Sequence, residues 1–202
     1  MDSINLSTIK HDVRVILDQN AEGYDVPNVG EYTLDLDEII TQCVEPAVEW
    51  VHMNAPLSKL RGKTPASTTI SNSLVALPDD FMRLISFRMN GWNRSATSFI
   101  LEDDPQISQI VSGYPGLAPT AANPLLMMVM PTATTSASFK PYPLAQGDTV
   151  AVMRYLPKPK INNSAIDIEP LVYQAFLYYL AHLVKATYNE QNTFAEQAQA
   201  LL

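Results

Sequence analysis

Two acidic clusters, Asp79-Asp80 and Glu102-Asp103-Asp104, carry the residue types that chelate a hard cation or divide the work of general acid and base. Each has a plainer use as well. Asp79 and Asp80 follow Pro78 and suit a turn into a strand, and Asp103 or Asp104 ahead of Pro105 can cap a short helix. The three histidines, His11, His52 and His182, stand apart from one another, with no H-x-x-x-H or Cys/His spacing for zinc. His182 falls in an apolar helical stretch, where histidine reads as a core or interface residue. Cys43 sits among apolar residues with Glu45 close by, so it reads as a small hydrophobe, lacking the electropositive setting that makes a thiolate nucleophile. There is no G-x-S-x-G, no phosphate-cradling glycine loop and no dinucleotide fingerprint, and seven glycines leave few loops for close ligand approach. No catalytic residue, no metal and no cofactor is expected.

Charge narrows the function further. A net charge of −8 argues against a dedicated nucleic-acid binder, which needs clustered Lys and Arg to displace counterions from phosphates. Lys59, Arg61 and Lys63 form one small basic group and Arg154, Lys158 and Lys160 another, both read as solvated loops. The single cysteine cannot form an internal disulfide, and no basic n-region followed by an apolar h-region opens the chain. No apolar run approaches the roughly 20 residues of a membrane span. A soluble protein made in a reducing cytoplasm, with no membrane partner, is expected.

The elements that must position these residues follow from periodicity. Leu6, Ile9, Val13, Ile16 and Leu17 recur at helical spacing, with Asn5 or Ser7 as cap and Asn20 and Gly23 as stop. Tyr24 to Thr33 reads as a loop. A second helix is predicted from about Leu36 to Met53, favoured at its start by Asp35, Asp37 and Glu38 and kinked or broken at Pro46. From Ser67 the pattern turns extended: Thr69 to Leu77, Arg83 to Met89, Trp92 to Leu101, Leu125 to Met130, Ser136 to Tyr142 and Thr149 to Leu156. Asn90-Gly91 predicts a hairpin, and Gln146-Gly147-Asp148 a turn. A short helix over Asp104 to Val111 and a Pro- and Gly-rich loop over Ser112 to Asn123 lie between. The methionines Met127, Met128 and Met130 read as an adaptable apolar strand.

Glu169 to Leu202 predicts one long helix, or two with a break near Asn189, with Pro170 in the first turn. Val172, Phe176, Tyr179, Leu180 and Leu183 share one side, while Tyr173, Leu177, Val184 and Tyr188 lie well round the cylinder. A monomer's surface helix carries an apolar stripe somewhat over about 100° wide, and this arc is about twice that. A neighbouring copy of the chain is the expected cover for the second flank, with Tyr173, Leu177, Tyr178, Val184 and Tyr188 as subunit-interface candidates. The fold expected is α+β: a three-helix-type bundle of two N-terminal helices (1–66) and a C-terminal helix (161–202), with a small antiparallel β-sheet inserted between them (67–160).

The run Leu77-Pro78-Asp79-Asp80-Phe81, continuing to Phe87 and followed by Gly91-Trp92, resembles the central segment of head-tail connector proteins of tailed bacteriophages, also called adaptor, neck or tail-tube ring proteins. The likeness extends to the helical first half and to Ile166-Asp167-Ile168-Glu169-Pro170 ahead of a Tyr- and Ala-rich last helix, and it is nearest to ring proteins of crAss-like podovirus phages. The resemblance implies a virion structural protein, assembled in the host bacterial cytoplasm. It implies homo-oligomeric rings of about twelve copies bound to the portal protein or to other neck and tail rings. The ring would extend the channel through which genomic DNA passes without sequence-specific binding. An acidic channel wall would repel phosphates and let the genome slide. A second reading is a monomeric or dimeric binding module that grips a partner with its β insertion.

Overall fold

The computed structural model describes residues 2–19, 36–105, 107–108, 116, 118–132, 136–162, 164–188 and 190–202. In chain order they form β1 (Asp2–Asn5), α1 (Leu6–Gln19), α2 (Leu36–Asn54), a 3-10 turn (Leu57–Lys59), β2 (Ile70–Ser71), β3 (Leu74–Ala76), β4 (Phe81–Met89) and β5 (Ile100–Leu101). Next come β6 (Leu125–Val129), β7 (Ser138–Tyr142), β8 (Val150–Pro157), β9 (Ile161–Asn162), β10 (Ala165–Ile168), α3 (Pro170–Thr187) and α4 (Phe194–Leu201). They divide into two compact units, Met1–Arg61 with Lys158–Leu202, and Gly62–Pro157. The expected loop from Tyr24 to Thr33, and residues 106, 109–115 and 117 of the short helix and Pro-rich loop expected between Asp104 and Asn123, lie outside the described residues.

The expected three-helix bundle with a small antiparallel insert is overturned. Among the described residues there are four α-helices and three sheets, the largest a mixed sheet of five strands. The helical unit contains a sheet of its own, in the order β1-β10-β9. β1 lies antiparallel to β10, with Asp2 opposite Ile168 and Asn5 opposite Ala165. Ile166 and Ile168 are buried while Ala165 and Asp167 are half-buried, a period-2 pattern too short to stand out just before a helix.

The break expected at Pro46 does not occur, and α2 continues through it as one helix. Proline removes one backbone bond, but Pro46 lies on the exposed face, and Ile40 and Val44 before it and Val48 and Val51 after it are all buried, so packing holds both halves in the helix. The last helix divides. α3 starts with Pro170 in its first turn, and α4 begins after Asn192, whose side-chain oxygen accepts from the Phe194 amide at 3.3 Å. α3 packs on α1, α2 and α4. Its buried residues include Phe176, Leu180 and Val184, and those of α4 are Phe194 and Ala198.

His52, in the last turn of α2, is fully buried, and its Nδ1–H donates to the Val48 carbonyl at 2.8 Å. Burial holds its pKa below the ordinary value of 6.5; the Val48 bond and the nearby Glu169 charge act in the opposite sense without overcoming it. Below about pH 6.5 the unfolded chain takes up a proton that folded His52 refuses, so stability falls until the lower folded-state pKa is reached. Denaturation midpoints are expected to drop between neutral pH and about pH 5, and to drop less in His52→Gln, which can still donate to Val48. An equal drop in both proteins would remove His52 as the cause.

In the second unit the five-stranded sheet runs β2-β3-β7-β6-β5, antiparallel except that β5 lies parallel to β6. β2 and β3 are joined by Asn72 and Ser73, at φ 52° and 64°, the left-handed pair a two-residue hairpin turn requires. β4 pairs antiparallel with β8, Phe81 opposite Pro157 and Met89 opposite Val150. The hairpin expected at Asn90-Gly91 is corrected here: the chain turns, but it returns to β4 through a single bridge, Phe87 to Ala96. Trp92 is the reason. Its indole enters the core against Phe87, at 5.7 Å between ring centroids, and donates to the Pro143 carbonyl at 2.8 Å, which draws the segment off the ladder. Asn90 bonds Thr149 with both its amide and its side chain, so the turn is fastened to the start of β8. Gly147, at φ 87°, makes the expected turn before β8.

The core of this unit lies between the two-stranded β4–β8 ribbon and the larger sheet, where Leu84, Phe87 and Met153 meet Val75, Leu126 and Phe139.

Candidate functional site

The segment Leu77 to Phe81 leads from β3 into β4. Leu77 is buried, Phe81 stacks near Tyr155 at 5.9 Å and meets Phe139 edge-on at 5.5 Å, and Asp79 is exposed. Asp80 accepts from the Tyr155 hydroxyl at 2.7 Å and from Lys63 Nζ at 2.6 Å. The backbones of Lys63 and Tyr155 exchange two hydrogen bonds, at 2.8 and 3.0 Å, so the clasp is braced from beneath. Burial pushes the Asp80 carboxyl up, but the Lys63 and Tyr155 hydrogen bonds and the Lys63 charge outweigh it and hold it below the usual carboxylate range. Burial and Asp80 together raise the Tyr155 phenol. Asp80 is thus an ionised acceptor committed to two donors, not a poised acid. Tyr155→Phe is expected to lower stability by about 1.5 kcal/mol, the scale of a hydrogen bond to a charged group, measured by chemical denaturation. No change would mean that Lys63 alone satisfies the carboxylate.

The other acidic cluster is split between tasks. Glu102 accepts from the Met130 amide at 3.3 Å, and the Asp104 carbonyl accepts from the Ile107 amide at 3.0 Å as a turn opens at Pro105. Among the described residues no group of three His, Cys, Asp or Glu side chains is placed to hold a metal ion. Burial pushes the half-buried Cys43 thiol up, against a weaker opposing hydrogen bond to Thr187, so it is protonated at neutral pH. His182 Nδ1 lies 2.8 Å from Asn192 Oδ1, where it donates and so fixes the turn between α3 and α4.

The five interface candidates are separated by the fold. Leu177 and Val184 are buried within the helical unit. Tyr173 is half-buried and donates to Asp12 Oδ2 at 2.7 Å, and burial together with that carboxylate raises its phenol far above the ordinary range. Tyr178 is half-buried and packs near Phe194 of α4, at 6.2 Å between centroids. Tyr188 alone of the five is exposed, at 48%. The wide apolar arc therefore has cover inside the chain: α3 packs on α1, α2 and α4, with Tyr173 bonded to Asp12 of α1 and Tyr178 beside Phe194 of α4.

No protein-family model matches this chain, and no curated protein does either. No helix among the described residues is long and apolar enough to cross a membrane.

The two basic groups read as solvated loops are also redistributed. Lys59 donates to the Leu201 carbonyl at 2.8 Å, Arg61 lies 3.4 Å from the buried Glu169, and Lys63 holds Asp80. Arg154 belongs to a strand, opposite Ser86. One feature escaped the sequence altogether. Trp50 of α2 stacks on Tyr179 of α3, centroids 3.8 Å apart and planes 5° from parallel, at the floor of a shallow groove walled by Ala195, Glu196 and Gln199 of α4. Trp50 and Tyr179 are far apart in the chain, so no local spacing announces the pair.

Proposed function

We propose that this chain is a non-enzymatic structural protein of a phage particle, a ring-forming subunit of the neck that joins the portal to the tail and extends the DNA channel. The observation that carries the reading is how the connector-like segment is used. Leu77, Phe81 and Trp92 build the packing of the β-rich unit, and Asp80 is bound into a clasp with Lys63 and Tyr155. A recurring motif whose side chains serve the fold supports a scaffold in which shape is the function. The acidic balance of the chain, −8, fits a conduit wall that DNA slides past. About twelve copies, contacts to the portal or to other neck rings, and residence in the virion all belong to the same proposal.

Electron microscopy of the virions, with the density fitted to this chain, tests it. A closed ring around the channel is the expected result. Absence of the chain from the particle overturns the reading and favours a binding module instead.

A further inference from the structure

The β4–β8 ribbon has two unlike faces. Inward, Leu84, Phe87, Met89 and Met153 are buried in the core. Outward, Ser86 stands opposite Arg154 and Arg88 opposite Val152, which makes the two arginines diagonal neighbours on one face, about 7–8 Å apart at the backbone. Both are exposed, and among the described residues no carboxylate pairs with either. Neither strand contains an acidic residue. Of the acids beyond its ends, Asp80 is engaged with Lys63 and Tyr155 and Asp148 with the Ala145 amide at 2.8 Å, while Asp79 is exposed at the end of the ribbon away from Arg88. Two like charges side by side oppose one another, and an anionic partner removes that cost.

The complement lies elsewhere in the same chain. Within Gly62–Pro157 six cationic and six acidic side chains cancel, so the whole formal charge of −8 belongs to the other unit. There, Glu38, Glu45 and Glu49 recur at helical spacing along one exposed face of α2. No cation pairs with Glu45 or Glu49 among the described residues, whereas Asp37 is already held by Lys10 and Arg14. Glu45 and Glu49 are one helical turn apart, a rise of about 6 Å, which matches the separation of the two arginines.

We propose that the outer face of the β4–β8 ribbon, through Arg88 and Arg154, docks on the acidic face of α2, at Glu45 and Glu49, of a second copy of this chain. The two surfaces differ, so the contact is heterologous: each copy gives one and receives one, and the arrangement propagates until it closes. It deepens the ring reading and rests on it only for closure. Two arginines make a poor phosphate track but a sufficient pair for two carboxylates.

The test uses the full-length chain in sedimentation velocity, up to millimolar concentration, at low and high salt. The wild type is expected to self-associate, about tenfold more weakly at high salt. Arg88→Glu with Arg154→Glu, and separately Glu45→Lys with Glu49→Lys, should each weaken association by about tenfold or more, while an equal mixture of the two variants restores it in alternating order. All four positions are exposed, and unchanged circular dichroism verifies the fold. Should either charge reversal unfold the protein, the glutamine variants at the same positions give the same comparison without restoration. A wild type that stays monomeric at millimolar concentration, association unaffected by either variant, or failure of the mixture to recover overturns the proposal. So does binding of a DNA duplex that is lost in the arginine variant while self-association is unchanged. A ring in the particle whose contacts lie on other surfaces removes these faces and leaves the ring reading standing. Restoration in the mixture by a chain absent from the particle does the reverse.

Discussion

Phe139→Ala is expected to destabilise the β-rich unit by about 3–5 kcal/mol, the cost of truncating a fully buried phenylalanine whose site cannot collapse. Phe139 lies on β7 between β3 and β6, opposite Val75 on one side and Met128 on the other. Its ring is met by Phe81 at 5.5 Å, by Phe87 at 5.9 Å and by Phe99 at 5.5 Å, so a single truncation removes contact from three neighbours at once. Phe81 and Phe87 are held on β4 by its ladder with β8, so they have little freedom to close the gap, and half-buried Phe99 alone could shift towards it. Urea denaturation followed by fluorescence measures the effect. A loss below about 1 kcal/mol would mean that the aromatic cluster repacks and is not the centre of the unit.

Val184→Asp should do comparable harm to the other unit, about 3–5 kcal/mol, by placing an uncompensated carboxylate in apolar packing. This substitution separates two meanings of the same residue. If Val184 served only to meet a neighbouring copy, the isolated chain would fold normally and fail only in assembly. Val184 is 1% exposed and shares the interior with Leu180 and Ala181, so the free chain itself should lose helix content and solubility. Tyr188→Ala, at a position 48% exposed, should stay within about 0.5 kcal/mol of the parent. A folded, soluble Val184→Asp protein would reinstate the flank of α3 as an outer surface.

The contrast shows how far the sequence could be read. The apolar periods of α1, α2 and α3 and the apolar, aromatic or β-branched runs of β4, β6, β7 and β8 announce those elements because each carries two or more buried residues within a short span. β1 does not announce itself, for Asp2–Asn5 holds one apolar residue and takes its conformation from β10. The two hairpin positions show propensity losing to tertiary contact. Asn90-Gly91 has the favoured turn residues but hands its strand to β8, whereas the tighter hairpin is built on Asn72-Ser73, with no glycine. At the candidate surfaces, residue types were visible and their company was not. The breadth of the apolar arc on α3 was real, but sequence cannot show that α1, α2 and α4 all pack against it. Arg88 and Arg154 became neighbours only through the register of β4 with β8.

The pairing of β1 with β10 also sets an order of events during synthesis. The β-rich unit is one unbroken stretch, Gly62–Pro157, and can close as soon as that stretch has left the ribosome, while the helical unit is discontinuous and needs Lys158–Leu202 to reach its first segment. Until then the apolar faces of α1 and α2 have no α3 to cover them, so the nascent chain passes through an interval in which a holding chaperone has a defined target.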